Sequence, residues 1–132
     1  DITISNSVSV IDGHAFQNCD KITEITIPGN VTSIGEYAFD YCKALANVNM
    51  GSGVSVIKYC AFYGCQSLKS ITIPAGVTEI GSGAFNTYYI YFDKKGNPLY
   101  KDFVIKSYTP ISIKLFGYIF PYFQKLFFLN RS

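Results

Sequence analysis

The chain has 132 residues, about the length of one domain, and 48% of them are hydrophobic and 17% aromatic. Its net charge of +2 gives no basic footprint for nucleic acid, and no uncharged apolar run reaches the roughly 18 residues of a transmembrane helix. Charge is unevenly placed, because residues 1–85 hold seven acids and four lysines whereas residues 86–132 hold two acids and seven bases.

The chain repeats itself with a period of 23 residues. Complete copies occupy residues 2–24, 25–47 and 48–70, and a partial copy occupies residues 71–86. One such copy cannot bury its apolar face alone and must stack on its neighbours, so the period predicts a solenoid. We therefore divide the chain into a repeat region, residues 1–86, and an aromatic-rich capping or tail region, residues 87–132.

Each copy opens with an apolar triplet, which reads Ile-Thr-Ile at residues 25–27 and 71–73. The alternation is typical of a strand with one buried face. A turn and a Val-x-x-Ile step follow, and the next segment, residues 35–42 in the second copy, has room for only one or two helical turns. Stacking then predicts short parallel strands about 4.8 Å apart, with short helical turns on the convex side.

The longer pattern Ile-Pro-x-x-Val-Thr-x-Ile-Gly-x-x-Ala-Phe-x-x-Cys-x-x-Leu resembles the BspA-like (treponemal type) leucine-rich repeats over residues 2–85. The resemblance implies an α/β repeat solenoid, a right-handed leucine-rich-repeat superhelix with short parallel strands and short convex helical turns. It also implies an extracellular or cell-surface location, in bacteria or in some mucosal protozoa, and an adhesion role toward host or matrix proteins. The third copy departs from the pattern, since Asn49-Met50-Gly51 replaces Thr-Ile-Pro.

The cysteines form a column of their own, because Cys19, Cys42 and Cys65 recur with the period. Their spacing lacks the paired ligands of a metal site, and we predict no metal and no cofactor. Rungs about 5 Å apart would permit a disulfide, but equivalent side chains of a stack point in parallel, which favours a ladder of buried thiols. Cys60 shares a variable column with His14. Both are predicted to be exposed, Cys60 as a surface thiol with bonding to Cys65 or to another chain as the alternative.

The middle residue of each triplet is predicted to face the concave side of the solenoid, with the residue before each triplet beside it. The candidate protein-binding residues are Glu24, Thr26, Asn47, Asn49, Ser70 and Thr72. Solenoids bind partners through such extended faces, although threonine is also simply a favourable exposed strand residue. No glycine-rich phosphate loop and no nucleophile–base pair is present, so we predict no catalytic residue and no enzyme activity.

The C-terminal region is predicted to contain a β-hairpin that caps the last copy. Residues 88–92 and 99–105 would be its strands, joined by a Gly-Asn-Pro turn. Residues 111–113 suggest one more strand. Residues 111–129 are apolar and aromatic, and they fit a folded cap element, a membrane-surface segment, or a terminus that is disordered or produced by truncation.

Three functions compete at this point. The leading hypothesis is a protein-recognition or adhesion module of a secreted or cell-surface protein. The alternatives are a structural spacer whose neighbours carry the function, and membrane-surface association through the aromatic tail. We also expect that the N-terminal side has been trimmed, because the chain opens at a strand-like triplet without a polar capping repeat.

Overall fold

The computed structural model describes residues 2–85, 91–92, 94–95, 98–99 and 104–107. Short and longer strands alternate through the repeat region, and three further strands follow it. They are β1 Val10–Ile11, β2 Glu24–Ile27, β3 Ser33–Ile34, β4 Asn47–Met50, β5 Val56–Ile57, β6 Ser70–Ile73, β7 Glu79–Ile80, β8 Tyr91–Phe92, β9 Pro98–Leu99 and β10 Val104–Ser107.

The two-residue strands form one continuous parallel sheet in the order β1-β3-β5-β7. Its register pairs Ile11 with Ile34, Ile34 with Ile57, and Ile57 with Ile80. Each pair is one period apart and all four isoleucines are buried. The stacked parallel solenoid and its 23-residue register are therefore present as the repeat predicts.

The four-residue strands form a second, interrupted layer. β2 pairs with β4 and β6 pairs with β10, in parallel, whereas no strand pairing joins β4 to β6. The first triplet, residues 2–4, was expected to be a strand and forms none. A short strand depends on its ladder of hydrogen bonds, and these residues do not pair with β2.

The segments that were predicted to be convex helical turns, residues 35–42 and their equivalents in the other copies, are turns. The described residues contain no helix, so the predicted helical turns are absent there. Alternate backbone N–H groups donate to the next rung, as in Phe16 to Ala38 and Phe39 to Ala61, both at 2.7 Å. The N–H groups between them bond only three residues back within the turn. A helix would direct every N–H along its own axis, so hydrogen bonding between rungs replaces helix formation here.

This alternation requires a left-handed backbone at two positions of each turn. One position is occupied by His14, Tyr37, Cys60 and Gly83, with φ between 52° and 69°. The other is occupied by Asn18, Tyr41 and Gly64, with φ between 55° and 71°. Because non-glycine residues rarely adopt such angles, these residues are held by the stack rather than by their own preference.

The interior is built from repeated columns of apolar side chains. The phenylalanine column, Phe16, Phe39, Phe62 and Phe85, stacks with centroid distances of 5.1, 5.0 and 5.5 Å and ring planes within 12° of parallel. Phe39 and Phe62 are 0% exposed, whereas Phe16 at the N-terminal end is only half-buried. Each rung thus completes the core of its neighbour.

The C-terminal strands agree with the prediction in part. Tyr91 pairs with Leu99 in antiparallel register, so the predicted hairpin forms between β8 and β9. The second predicted hairpin strand, residues 99–105, is only partly in the hairpin. Leu99 belongs to β9, whereas Val104 begins β10, which pairs in parallel with β6. β10 covers the edge of the last long strand, and capping by the hairpin stays a prediction. Residues 111–129 lie outside the described residues.

Candidate protein-binding site

The six candidate residues lie on the outward face of β2, β4 and β6, which we call the polar strand face. Glu24, Thr26, Asn47 and Asn49 are exposed, and Ser70 and Thr72 are half-buried. Along β2 these outward residues alternate with Ile25 and Ile27, each 1% exposed. The alternation follows from the strand geometry, in which successive side chains point to opposite faces.

The structure brings four of the six residues together directly. Glu24 is paired with Asn47 and Thr26 with Asn49 in the β2–β4 register. The Asn49 Nδ2 atom donates a hydrogen bond of 3.4 Å to Thr26 Oγ1 across this pair. The result is a row of amide and hydroxyl groups with one carboxylate, a surface suited to polar contacts with a protein.

The remaining two residues lie on the other side of an interruption. Ser70 and Thr72 belong to β6, whose paired neighbour is β10, with Lys106 in register with Thr72. Part of β10 was predicted to be a hairpin strand, and the register of Lys106 with Thr72 was therefore not predicted. An alternating pattern after the hairpin turn was the available signal, but it did not distinguish a hairpin strand from an additional rung.

The predicted ladder of buried thiols holds for Cys42 and Cys65, whereas Cys19 at the N-terminal end of the column is half-buried. All four cysteines of the chain are free, and Cys42 and Cys65 are 0% exposed. The Sγ atoms of Cys42 and Cys65 donate to the carbonyl oxygens of Phe16 and Phe39, each at 3.1 Å. Burial raises the pKa of Cys42 to about 12 and raises that of Cys65 as well, so both thiols are held neutral and unreactive.

Cys60 was predicted to be a surface thiol, and this prediction is wrong because Cys60 is 5% exposed. The next residue in its column is Gly83, and a Cβ atom added there would lie 2.9 Å from Cys60 Sγ. The thiol thus occupies the space that the glycine leaves open, and burial raises its pKa. The varied residue types in this column indicated exposure. The informative feature was instead the small Gly83 at the position that follows Cys60 in the next copy.

The convex side carries an exposed aromatic row and one buried acid. The rings of His14 and Tyr37 stack at 5.2 Å, and His14 is exposed as predicted. Asp40 is only 3% exposed, and its Oδ2 accepts a hydrogen bond of 2.8 Å from Gln17 Nε2. Its Oδ1 has no partner in the described part of the chain. No group of three metal-ligating side chains gathers anywhere among these residues.

The described residues also contain no helix long and apolar enough to cross a membrane.

Comparison with known proteins bears on the whole repeat region. The family model of the BspA type leucine-rich repeat region matches residues 1–92 in six copies. No curated protein matches the chain.

Solved bacterial structures share the fold. A leucine-rich cell surface protein from Faecalibacterium prausnitzii is 36% identical with a TM-score of 0.63, over 76% of this chain and 24% of that one. A leucine-rich repeat protein from Bacteroides capillosus is 35% identical with a TM-score of 0.52, over 62% of this chain and 72% of that one. The leucine-rich repeat protein of T. pallidum, at 24% identity and a TM-score of 0.52, shows likeness of fold alone.

These matches support a bacterial origin and point to a protein-interaction or surface module of a generally non-enzymatic kind. The chain spans about a quarter of the length of the first of these structures, 24%. The family model covers well over half of the chain. This chain therefore belongs to the BspA type leucine-rich repeat family.

Proposed function

We propose that this chain is a protein-recognition or adhesion module of a secreted or cell-surface protein, without enzymatic activity. It binds a host or matrix protein through the polar strand face, which forms the concave surface in solenoids of this kind. The observation that carries the proposal is the set of outward polar side chains on β2 and β4, exposed while the residues between them on β2 are buried.

The chemistry of this face supports a protein partner. Threonine and asparagine side chains offer both donors and acceptors, and the hydrogen bond between Asn49 and Thr26 partly orders them before binding. Stacked rungs place hydroxyl and amide groups at equivalent positions along the face, which suits an extended partner surface. Few rungs give a small interface, so tight attachment would require further repeats or many copies of the module.

The family and one solved relative support this proposal. A solved relative is described as a cell surface protein, which supports a surface location for the proposed module. A surface module of this kind needs no catalytic centre, because its activity is recognition.

The test is binding to a panel of purified extracellular-matrix proteins by surface plasmon resonance. The concave variant carries Thr26→Trp and Asn49→Trp, and the matched control carries Asp12→Trp and Lys58→Trp at exposed convex positions. We expect the concave variant to lose at least tenfold in affinity and the control to bind like the parent. Equal binding by both variants would move the site elsewhere, and no binding by the parent would favour a structural spacer.

A further inference from the structure

The polar strand face contains a notch at the third copy. The notch is a depression of about 540 Å³ over the C-terminal ends of β2 and β4 and the turns that follow them, with β6 at its margin. Its lining includes Thr26, Ile27, Val48, Asn49, Met50 and Thr72. Thr72 is its one lining residue from β6, a strand that is not paired with β4.

Glycines of the third copy allow its backbone to approach that of the second copy closely beside the notch. A Cβ added at Gly53 would lie 2.0 Å from the carbonyl oxygen of Gly29, and one at Gly51 would lie 2.6 Å from that of Ile27. At Gly76, one period after Gly53, the nearest atom would be 3.5 Å away. The third rung is thus drawn close to the second at this edge, whereas the fourth stays farther from the third.

Two apolar side chains of the third copy are more accessible than their counterparts in the second and fourth copies. Val48 and Met50 are half-buried. Their counterparts in the second and fourth copies are Ile25, Ile27, Ile71 and Ile73, at 1–2% exposure. The third copy therefore presents a small accessible apolar surface within a polar face.

The chemistry of the lining defines the occupant. None of the residues that line the notch is charged, so a charged group entering it would lose hydration without gaining an ionic partner. Val48 and Met50 supply the apolar wall, and the flexible thioether of Met50 adapts to different shapes. The hydroxyl and amide groups of Thr26, Asn49 and Thr72 can bond the backbone beside an inserted side chain.

We propose that the notch is the anchor site of this face and that it takes one aliphatic side chain from an extended, uncharged segment of the protein partner. An anchor side chain in a pocket with a polar rim is the usual arrangement of an interface hot spot. This inference rests on the proposed function, because it names the part of the partner that the polar strand face holds.

The test uses Met50, which is the only methionine of the chain. A protein labelled with ¹³C in the methionine methyl group gives one signal from the notch itself. N-acetyl-leucine amide is titrated in as the probe, with N-acetyl-alanine amide and N-acetyl-lysine amide for comparison. We expect a saturable shift with the leucine amide, and at least tenfold weaker binding of the other two.

Thr72→Trp should fill the notch and abolish the shift, whereas Thr3→Trp, the same change in the same column outside the notch, should leave it. Ser52→Phe, at an exposed position on the rim, replaces Thr72→Trp if that variant does not fold. A methyl signal that never moves, or that moves equally with the lysine amide, overturns the proposal. If the leucine amide binds but Thr72→Trp still binds matrix protein like the parent, the anchor role fails while the proposed function stands.

Discussion

Removing one ring from the phenylalanine column should cost more in the middle of the stack than at its N-terminal end. Phe39 is 0% exposed and has a ring on each face, Phe16 at 5.1 Å and Phe62 at 5.0 Å. A buried Phe→Ala change costs about 3–5 kcal/mol, and each ring contact contributes about 0.5–1.5 kcal/mol beyond burial. Phe39→Ala should therefore lower the free energy of unfolding by about 4–5 kcal/mol.

Phe16 provides the matched comparison because it is half-buried and has one described ring neighbour. Phe16→Ala should cost about 2 kcal/mol, which is roughly half the loss at Phe39. The assay is urea unfolding followed by far-UV circular dichroism, since the chain has no tryptophan. Equal losses for the two variants, or a loss below about 1 kcal/mol for Phe39→Ala, would refute the stacked core.

Three further outcomes follow from particular contacts. Gly53→Ala should cost about 1–3 kcal/mol because its Cβ would lie 2.0 Å from a backbone oxygen, whereas Gly76→Ala, at 3.5 Å, should be neutral or stabilising by about 0.4–1 kcal/mol; thermal unfolding of both variants compares them. The pKa of Cys42 is raised to about 12, above the unfolded value of about 8.5. Its contribution to stability is therefore intact below about pH 8.5 and is lost as pH rises toward 12. In urea unfolding, the midpoint of the parent should fall between about pH 8 and about pH 10, and Cys42→Ala should make this fall smaller. Asp40 is buried with one unpaired oxygen, so Asp40→Asn should leave the melting temperature unchanged or raise it. Gln17→Ala removes the donor to the other oxygen and should lower the free energy of unfolding by about 1–2 kcal/mol. A larger loss for Asp40→Asn than for Gln17→Ala would show that the carboxylate is better satisfied than its described contacts indicate.

The interior could be predicted from the sequence because a fixed period constrains every rung in the same way. Ile34 and Ile57 had to lie in register once the copies stacked, and they do. The convex turns could not be predicted, because a segment as short as residues 35–42 fits both a helical turn and a turn with hydrogen bonds to neighbouring rungs. The inter-rung bonds, such as Phe39 to Ala61, exist only after stacking.

Deviations between copies were the hardest features to interpret from the sequence. Cys60 is buried because its neighbour in the next rung is Gly83. The variation of residue types in this column does not by itself reveal that neighbouring residues differ in size in a complementary way. The third copy, with Met50 in place of isoleucine, looked like a degenerate repeat. In the structure the same departure accompanies the missing strand pairing between β4 and β6 and a depression with an accessible apolar surface on the polar strand face.

The central claim is that this chain recognises its partner through the polar strand face. Hydroxyl-radical footprinting tests it on the complex between this chain and the matrix protein identified in the binding panel. Met50 lines the notch on that face, and Tyr59, 46% exposed, lies on the convex side. Both side chains react readily with the radical, so one experiment reports on both faces. We predict that the partner protects Met50 from oxidation and leaves Tyr59 unchanged. Protection of Tyr59 with unchanged oxidation of Met50 would contradict the account.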